Sequence, residues 1–207
     1  MRWILNFIIV LILLLVLFLL NFYRDPKRKI PKGNNIVAPA DGKVISILKI
    51  NKRNIKIKKS IIGKIKTLSS DIATECFVIS TFMSPFDVHI NRAPINGTIK
   101  SIKYTRGKFF EAFNLEKSLE NEKNEIVIEN KKLKVKVIQI AGFLARKIKC
   151  YVKKNQKVNK GEKIGMIVLG SQTTLIMPRG VVLKVRVNEK VKAGESIIAD
   201  LEENYGR

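Results

Sequence analysis

Residues 3–23 read WILNFIIVLILLLVLFLLNFY and contain no charge, with Asn6 and Asn21 as the only polar side chains. As a helix this run rises about 31 Å, the thickness of a bilayer's hydrocarbon core. A core helix of a globular domain carries a polar stripe, and this run has none. A cleaved signal peptide has a shorter apolar core that ends in small residues. Here the run ends in Asn21-Phe22-Tyr23-Arg24-Asp25-Pro26. Residues 1–23 are therefore predicted to be an uncleaved transmembrane anchor.

Charge orients the anchor. Only Arg2 precedes it, whereas Arg24, Lys27, Arg28, Lys29 and Lys32 follow it. The positive-inside rule then gives a single span in the cell membrane with the remaining chain on the cytoplasmic side. Over 207 residues, 40 Lys+Arg against 17 Asp+Glu give 40 − 17 = +23. That balance excludes an acidic solvating protein, and 46% hydrophobic residues exclude a disordered one. A basic chain invites nucleic acid or an anionic membrane surface as partner. The tether favours the membrane, and no nucleic acid is expected. Cys76 and Cys150 are too few for a disulfide framework, and they are expected as buried thiols in a reducing compartment. With His89 as the one histidine, no metal site is expected.

Residues 24–35 contain Pro26, Pro31 and Gly33 and read as a basic linker to a domain over 36–207. From Ile36 onward the pattern has period two, as at residues 54–58, 133–137 and 181–187. Such alternation builds half-buried strands. Glu75 to Phe82 and Glu125 to Ile128 add further candidates. Two internal echoes stand out: APADGKV at 38–44 with APINGTI at 93–99, and VNKGEKI at 158–164 with VKAGESI at 191–197. Each is a Gly turn feeding a strand. The expected fold is mainly β, a compact sandwich or barrel-like domain with lipoyl-like turn–strand units. A lipoyl or biotinyl attachment hairpin is absent, so a carrier role is not supported. Residues 107–124 break the alternation and fit either a short amphipathic helix capping the sheet or an adaptable loop near membrane or substrate.

Taken singly, the reactive candidates are ordinary. His89 reads as a structural histidine, Asp41 as a turn residue and Gly170-Ser171 as a common loop dipeptide. Their order changes this. APADGKV at 38–44, FMSPFDVHINRAPINGTI at 82–99, GKFFEAF at 107–113, QIAGFLARKIKC at 139–150 and GEKIGMIVLGS at 161–171 occur together. This set resembles the phosphatidylserine decarboxylase family in its short membrane-anchored form, over about residues 24–200. An archaetidylserine decarboxylase, acting on the ether-linked analogue, fits the same resemblance.

The resemblance implies a proenzyme that makes its own covalent pyruvoyl group from Ser171, with no external cofactor. Ser171 would attack the Gly170 carbonyl, and elimination of the resulting ester would separate residues 1–170 from residues 171–207, which remain associated. The pyruvoyl carbonyl would take the serine amine of an anionic phospholipid as a Schiff base and accept the electrons released with CO₂. Asp41 is expected to orient or activate a base, and His89 to serve processing, decarboxylation or both. Longer members carry a second histidine where this chain has Arg92. Arg92 could bind a phosphate or carboxylate, or form a structural ion pair. Phe109 and Phe110 are further substrate-side candidates. Two other readings use fewer of these features: a membrane-anchored sandwich adaptor without activity, and a tethered nucleic-acid binder that charge alone suggests.

Overall fold

The computed structural model describes residues 2–51, 68–107, 121–142, 147–168 and 171–201. Helix α1 (Arg2–Phe22) is the predicted span, and nearly all of its apolar surface is exposed. It is long and apolar enough to cross a membrane. The rest is β structure. In chain order the strands are β1 (Asn35–Val37), β2 (Gly42–Asn51), β3 (Glu75–Met83), β4 (Ile90–Arg92), β5 (Gly97–Thr105), β6 (Lys123–Glu129) and β7 (Lys134–Ala141). They continue as β8 (Ile148–Cys150), β9 (Lys157–Val158), β10 (Lys163–Ile167), β11 (Ser171–Pro178), β12 (Val181–Leu183), β13 (Lys190–Val191) and β14 (Ile197–Leu201).

The mainly β expectation holds in the form of a curled sheet, a half-barrel, of order β13-β2-β3-β11-β7-β6-β5-β9, flanked by two three-stranded sheets. The strands at 75–82 and 125–128 are found with slightly wider bounds. The alternation at 181–187 does not continue as strand beyond Leu183. There Lys184 N instead donates to the Ile198 carbonyl, and the chain turns at Arg186–Glu189. The alternation at 54–58 lies outside the described residues.

Strand β11 is buried along its whole length between β3 and β7. Leu175 and Met177, with Ile79 and Val137, join the main core, while Ile176 packs with Val78 and Ile138 in a second cluster. A strand covered on both faces cannot show polar alternation, so β11 carries little sequence signal.

Both internal echoes correspond to paired structure. Gly194 N donates to the Ala38 carbonyl and Gly161 N to the Ala93 carbonyl, each at 2.8 Å. Val44 N reaches the Glu189 carbonyl and Ile99 N the Gln156 carbonyl, each at 2.9 Å. β13 caps β2 at one end of the large sheet as β9 caps β5 at the other. The preceding turns each hold an asparagine at positive φ, Asn155 at 68° and Asn188 at 74°. The chain is thus internally two-fold in pattern, with β11 and β7 at the centre. One detail of the match matters below. Asp41 Oδ1 accepts from Ala193 N at 2.8 Å, and Asn96 Oδ1 accepts from Lys160 N at 2.7 Å.

The expected linker is not a free tether. Arg28 and Ile30 lie half-buried against the domain, and Ile30 packs against both Gly161 and Gly194. The thiols also differ from expectation. Cys76 is buried, whereas Cys150 is exposed because it lies on edge strand β8.

Gly42 begins β2 with φ 140°, and a Cβ there would collide with the Phe82 carbonyl. Gly42→Ala is therefore expected to lower stability by about 2 kcal/mol or more. Urea unfolding in detergent checks this.

Candidate active site

Ser171 is the first residue of β11, fully buried and paired with Met83 on one side and Ala141 on the other. Its Oγ donates to Met83 Sδ at 3.4 Å. A thioether is a weak acceptor, so the hydroxyl is positioned but not strongly polarised. Gly170, the other half of the expected cleavage junction, lies outside the described residues, as do Phe109 and Phe110.

His89 precedes β4 and is 0% exposed. Its Nδ1 lies 2.9 Å from the Asp87 carbonyl. A carbonyl can only accept, so Nδ1 carries the proton and Nε2 holds the free lone pair. That Nε2 is buried and has no hydrogen-bond partner among the described residues. The Phe22 ring, from the end of the anchor, stacks on the imidazole with centroids 4.1 Å apart. Burial lowers the His89 pKa from 6.5 to about 4, so the ring is neutral at physiological pH. β4 pairs with β10, and Ile167 N donates to the His89 carbonyl at 3.3 Å. Ser171 follows four residues later.

Asp41 is buried at the turn before β2. Both of its oxygens lie 2.9 Å from Arg28 Nη2, and Oδ1 also accepts from Ala193 N. Burial raises its pKa above 3.8, and the Ala193 N–H and Arg28 oppose that rise. No hydrogen bond joins Asp41 to His89 among the described residues. The three candidates nevertheless surround one small apolar cluster of Ala40, Met83 and Ile167. Ala40 adjoins Asp41, Met83 touches Ser171, and Ile167 binds the His89 carbonyl.

Arg92 Nη1 donates to the Gly161 carbonyl at 2.9 Å, and its Nη2 is paired with Asp25. Lys163 Nζ reaches the other Asp25 oxygen at 2.9 Å. The ion-pair alternative for Arg92 is therefore the one seen. The segment from Phe22 to Arg28 forms a strap over His89, Arg92 and Asp41.

Sequence reasoning missed a buried polar chain beside Ser171. Asn124 donates to Gln139 at 2.9 Å, Gln139 to Asn91 at 2.8 Å and Asn91 to Thr173 Oγ1 at 3.0 Å. Thr173 Oγ1 in turn donates to Met83 Sδ at 3.5 Å, the atom that also accepts from Ser171. Asn91 and Gln139 both fall in the stretches that carry the family resemblance. Their mutual contact, across 48 positions, has no local signal.

The fold and site thus define a mainly β protein with a buried serine at a strand start, a neutral buried histidine, and an apolar N-terminal helix whose end packs on that histidine. The family model for phosphatidylserine decarboxylase matches residues 15–199. A Methanocaldococcus jannaschii protein, provisionally named archaetidylserine decarboxylase proenzyme, is 45% identical over 186 residues, covering 89% of this chain and 90% of that one. The phosphatidylserine decarboxylase proenzyme of Prosthecochloris aestuarii is 43% identical, covering 94% of this chain and 82% of its own. That of Chlorobium phaeobacteroides is 42% identical, covering 88% and 79%. The chain belongs to the phosphatidylserine decarboxylase family, as its motifs led us to expect.

The depressed His89 pKa has a stability consequence. The unfolded chain binds the imidazole proton near pH 6.5, and the folded chain only near about 4. Stability held above pH 6.5 should fall as pH drops toward about 4, by about 3 kcal/mol. Denaturant titrations across this window, compared with His89→Gln, isolate the contribution as the difference in slope.

Proposed function

We propose that this chain is a self-processing proenzyme whose product removes CO₂ from the serine head group of an anionic phospholipid, leaving the ethanolamine lipid. The observation that carries the reading is a buried Ser171 at the start of the central strand and, across the small Ala40–Met83–Ile167 cluster, a neutral His89 whose Nε2 has no partner among the described residues. Family membership supplies the prior.

In the processing step Ser171 Oγ adds to the Gly170 carbonyl as its proton leaves, and the Gly170–Ser171 amide becomes an ester. Loss of the Ser171 α-proton then expels residues 1–170 as a carboxylate. Hydrolysis of the remaining enamine releases ammonia and leaves a pyruvoyl group at the head of residues 171–207. A neutral imidazole is the base these proton transfers need, and His89 is the only one in the chain. The residues present fit this group, because its precursor serine is buried at a strand start and the chain's one histidine, also buried, keeps a basic nitrogen without a partner among the described residues. Once formed, the pyruvoyl carbonyl supplies the electron sink for decarboxylation. In this reading His89 returns the proton to the product carbon.

Asp41 acts as a positioning residue in this reading. Asn96 makes the equivalent turn bond with a neutral amide, so a carboxylate at 41 is not needed for the turn. Its charge instead holds Arg28, and with it the strap over His89. Arg92 and Lys163 place two cations at the end of the span, where a lipid phosphate arrives. The lone described carboxylate between them is Asp25. Within residues 171–207, β11, β13 and β14 pair with four strands of the preceding piece, β1, β2, β3 and β7, and β12 pairs with β14. That pairing keeps both pieces together after cutting. The domain boundaries follow as anchor 1–23, strap 24–35 and processed domain 36–207, on the cytoplasmic side.

Intact mass of the purified chain tests the proposal directly. Two pieces are expected, 1–170 and 171–207, the second 207 − 170 = 37 residues long and lacking a free amine. Ser171→Ala should abolish both cutting and decarboxylation. A single uncut chain with full activity would sink the mechanism. His89→Gln should slow cutting by about 10²–10⁴-fold. Asp41→Asn should preserve the Ala193 bond and the fold while weakening Arg28 docking, seen as faster proteolysis at residues 24–35.

A further inference from the structure

The turn at Ser84–Asp87 carries an aromatic side chain outward. Phe86, near its tip, is 69% exposed. Single exposed apolar residues are ordinary, but this one is attached to the anchor. The Phe86 ring meets Phe18 of α1 edge-on, with centroids 6.4 Å apart, and Phe18 lies 6.0 Å from Phe22. Arg24 fastens the two elements. Its Nη2 donates to the Phe86 carbonyl at 2.7 Å and its Nη1 to the Asn21 carbonyl at 2.6 Å. The turn is braced internally, since Ser84 N and Oγ both donate to the Asp87 carboxylate at 2.7 Å.

These contacts set the depth of the turn. Phe18 lies four residues before Phe22, about 6 Å back along the helix axis. A bilayer that covers the helix to its end therefore covers Phe18, and a ring packed on Phe18 lies in the same slab. Exposed Tyr23 and Tyr151 add interfacial aromatics, with exposed Lys147 and Lys149 leading up to Tyr151. Aromatic rings with lysines around them match the chemistry of the headgroup layer.

We infer that the Ser84–Asp87 turn is a membrane-inserted element, with Phe86 in the acyl region beside Phe18 and Tyr151 at headgroup level. The partner is a lipid surface. The inference rests on α1 spanning a bilayer, and only its turnover test rests on the proposed decarboxylase activity. Its consequence is that the turn leading into His89 faces lipid, so a phospholipid head group reaches the site without leaving the membrane.

The chain has one tryptophan, Trp3, which reports the far end of the span. The full chain is reconstituted in vesicles of phosphatidylcholine and phosphatidylglycerol. The wild type is compared with the double variant Trp3→Phe/Phe86→Trp. The variant's emission is expected to be blue-shifted and quenched by brominated phosphatidylcholine to an extent comparable with Trp3. A water-like, unquenched spectrum while Trp3 is quenched would overturn the inference. So would a blue shift without bromolipid quenching, which would mean a protein covers Phe86. If neither position is quenched, the span itself is wrong and the inference falls with it. Phe86→Asp provides a second reading. Turnover on vesicle-borne substrate should fall by about tenfold while turnover on detergent-dispersed substrate is retained. Equal loss on both would also overturn it.

Discussion

The pairing of β11 between β3 and β7 is the constraint on which the rest of this molecule depends. It buries Ser171 at the point where the central strand begins, with a backbone partner on each side. A reactive hydroxyl in such a place can have its orientation set by neighbours that do not themselves react. Met83 and the Asn124–Gln139–Asn91–Thr173 chain do this here, each polar atom being satisfied within the protein. A buried network of this kind is costly if any one member is missing, because the remaining donors and acceptors then lack water. A chain cut before β11 would keep these strand pairings.

The internal two-fold pattern shows where structure ends and chemistry begins. Asp41 and Asn96 occupy matching turns and accept matching backbone bonds. They differ in charge, and Arg28 docks only on the charged one. His89 and Arg92 likewise belong to one side of the pattern, at the segment leading into the second echo. The duplicated turns act as a frame. The departures from duplication concentrate where the strap from the anchor crosses the domain.

Local patterns made the frame legible in the sequence. The apolar run 3–23 was legible as a helix long enough to span a membrane, and the strand at 75–82 announced itself by length and composition. The paired Gly turns were visible as repeated strings, since a turn's needs are met by adjacent residues. The site was legible only through family motifs. Asp41 and His89 sit in conspicuous stretches, but nothing local says that Asp41 binds Arg28 and not the histidine. Residues 24–35 looked like a tether because prolines and charges are what tethers contain. Their docking comes from ion pairs with Asp41, Arg92 and Glu195, the last 195 − 28 = 167 positions from Arg28. Periodicity states which face a residue takes, and it is silent about which distant side chain meets it there.

Electrostatics completes the argument. Many of the acids are taken up in ion pairs, as at Asp25, Asp41, Asp71, Glu125, Glu195 and Asp200. The excess of lysine is left outward, as at Lys27, Lys29, Lys32, Lys147, Lys149, Lys153 and Lys154. A net charge of +23 is therefore largely a surface field, and the fold does not need it. The anchor fixes where that field acts, because Arg24, Asp25 and Arg28 tie the end of the span rigidly to the domain. A field on a freely tethered domain would draw any face onto anionic lipid. On a domain held by its strap to a helix long enough to cross a membrane, it would draw one face onto a bilayer, the face that carries the His89 turn.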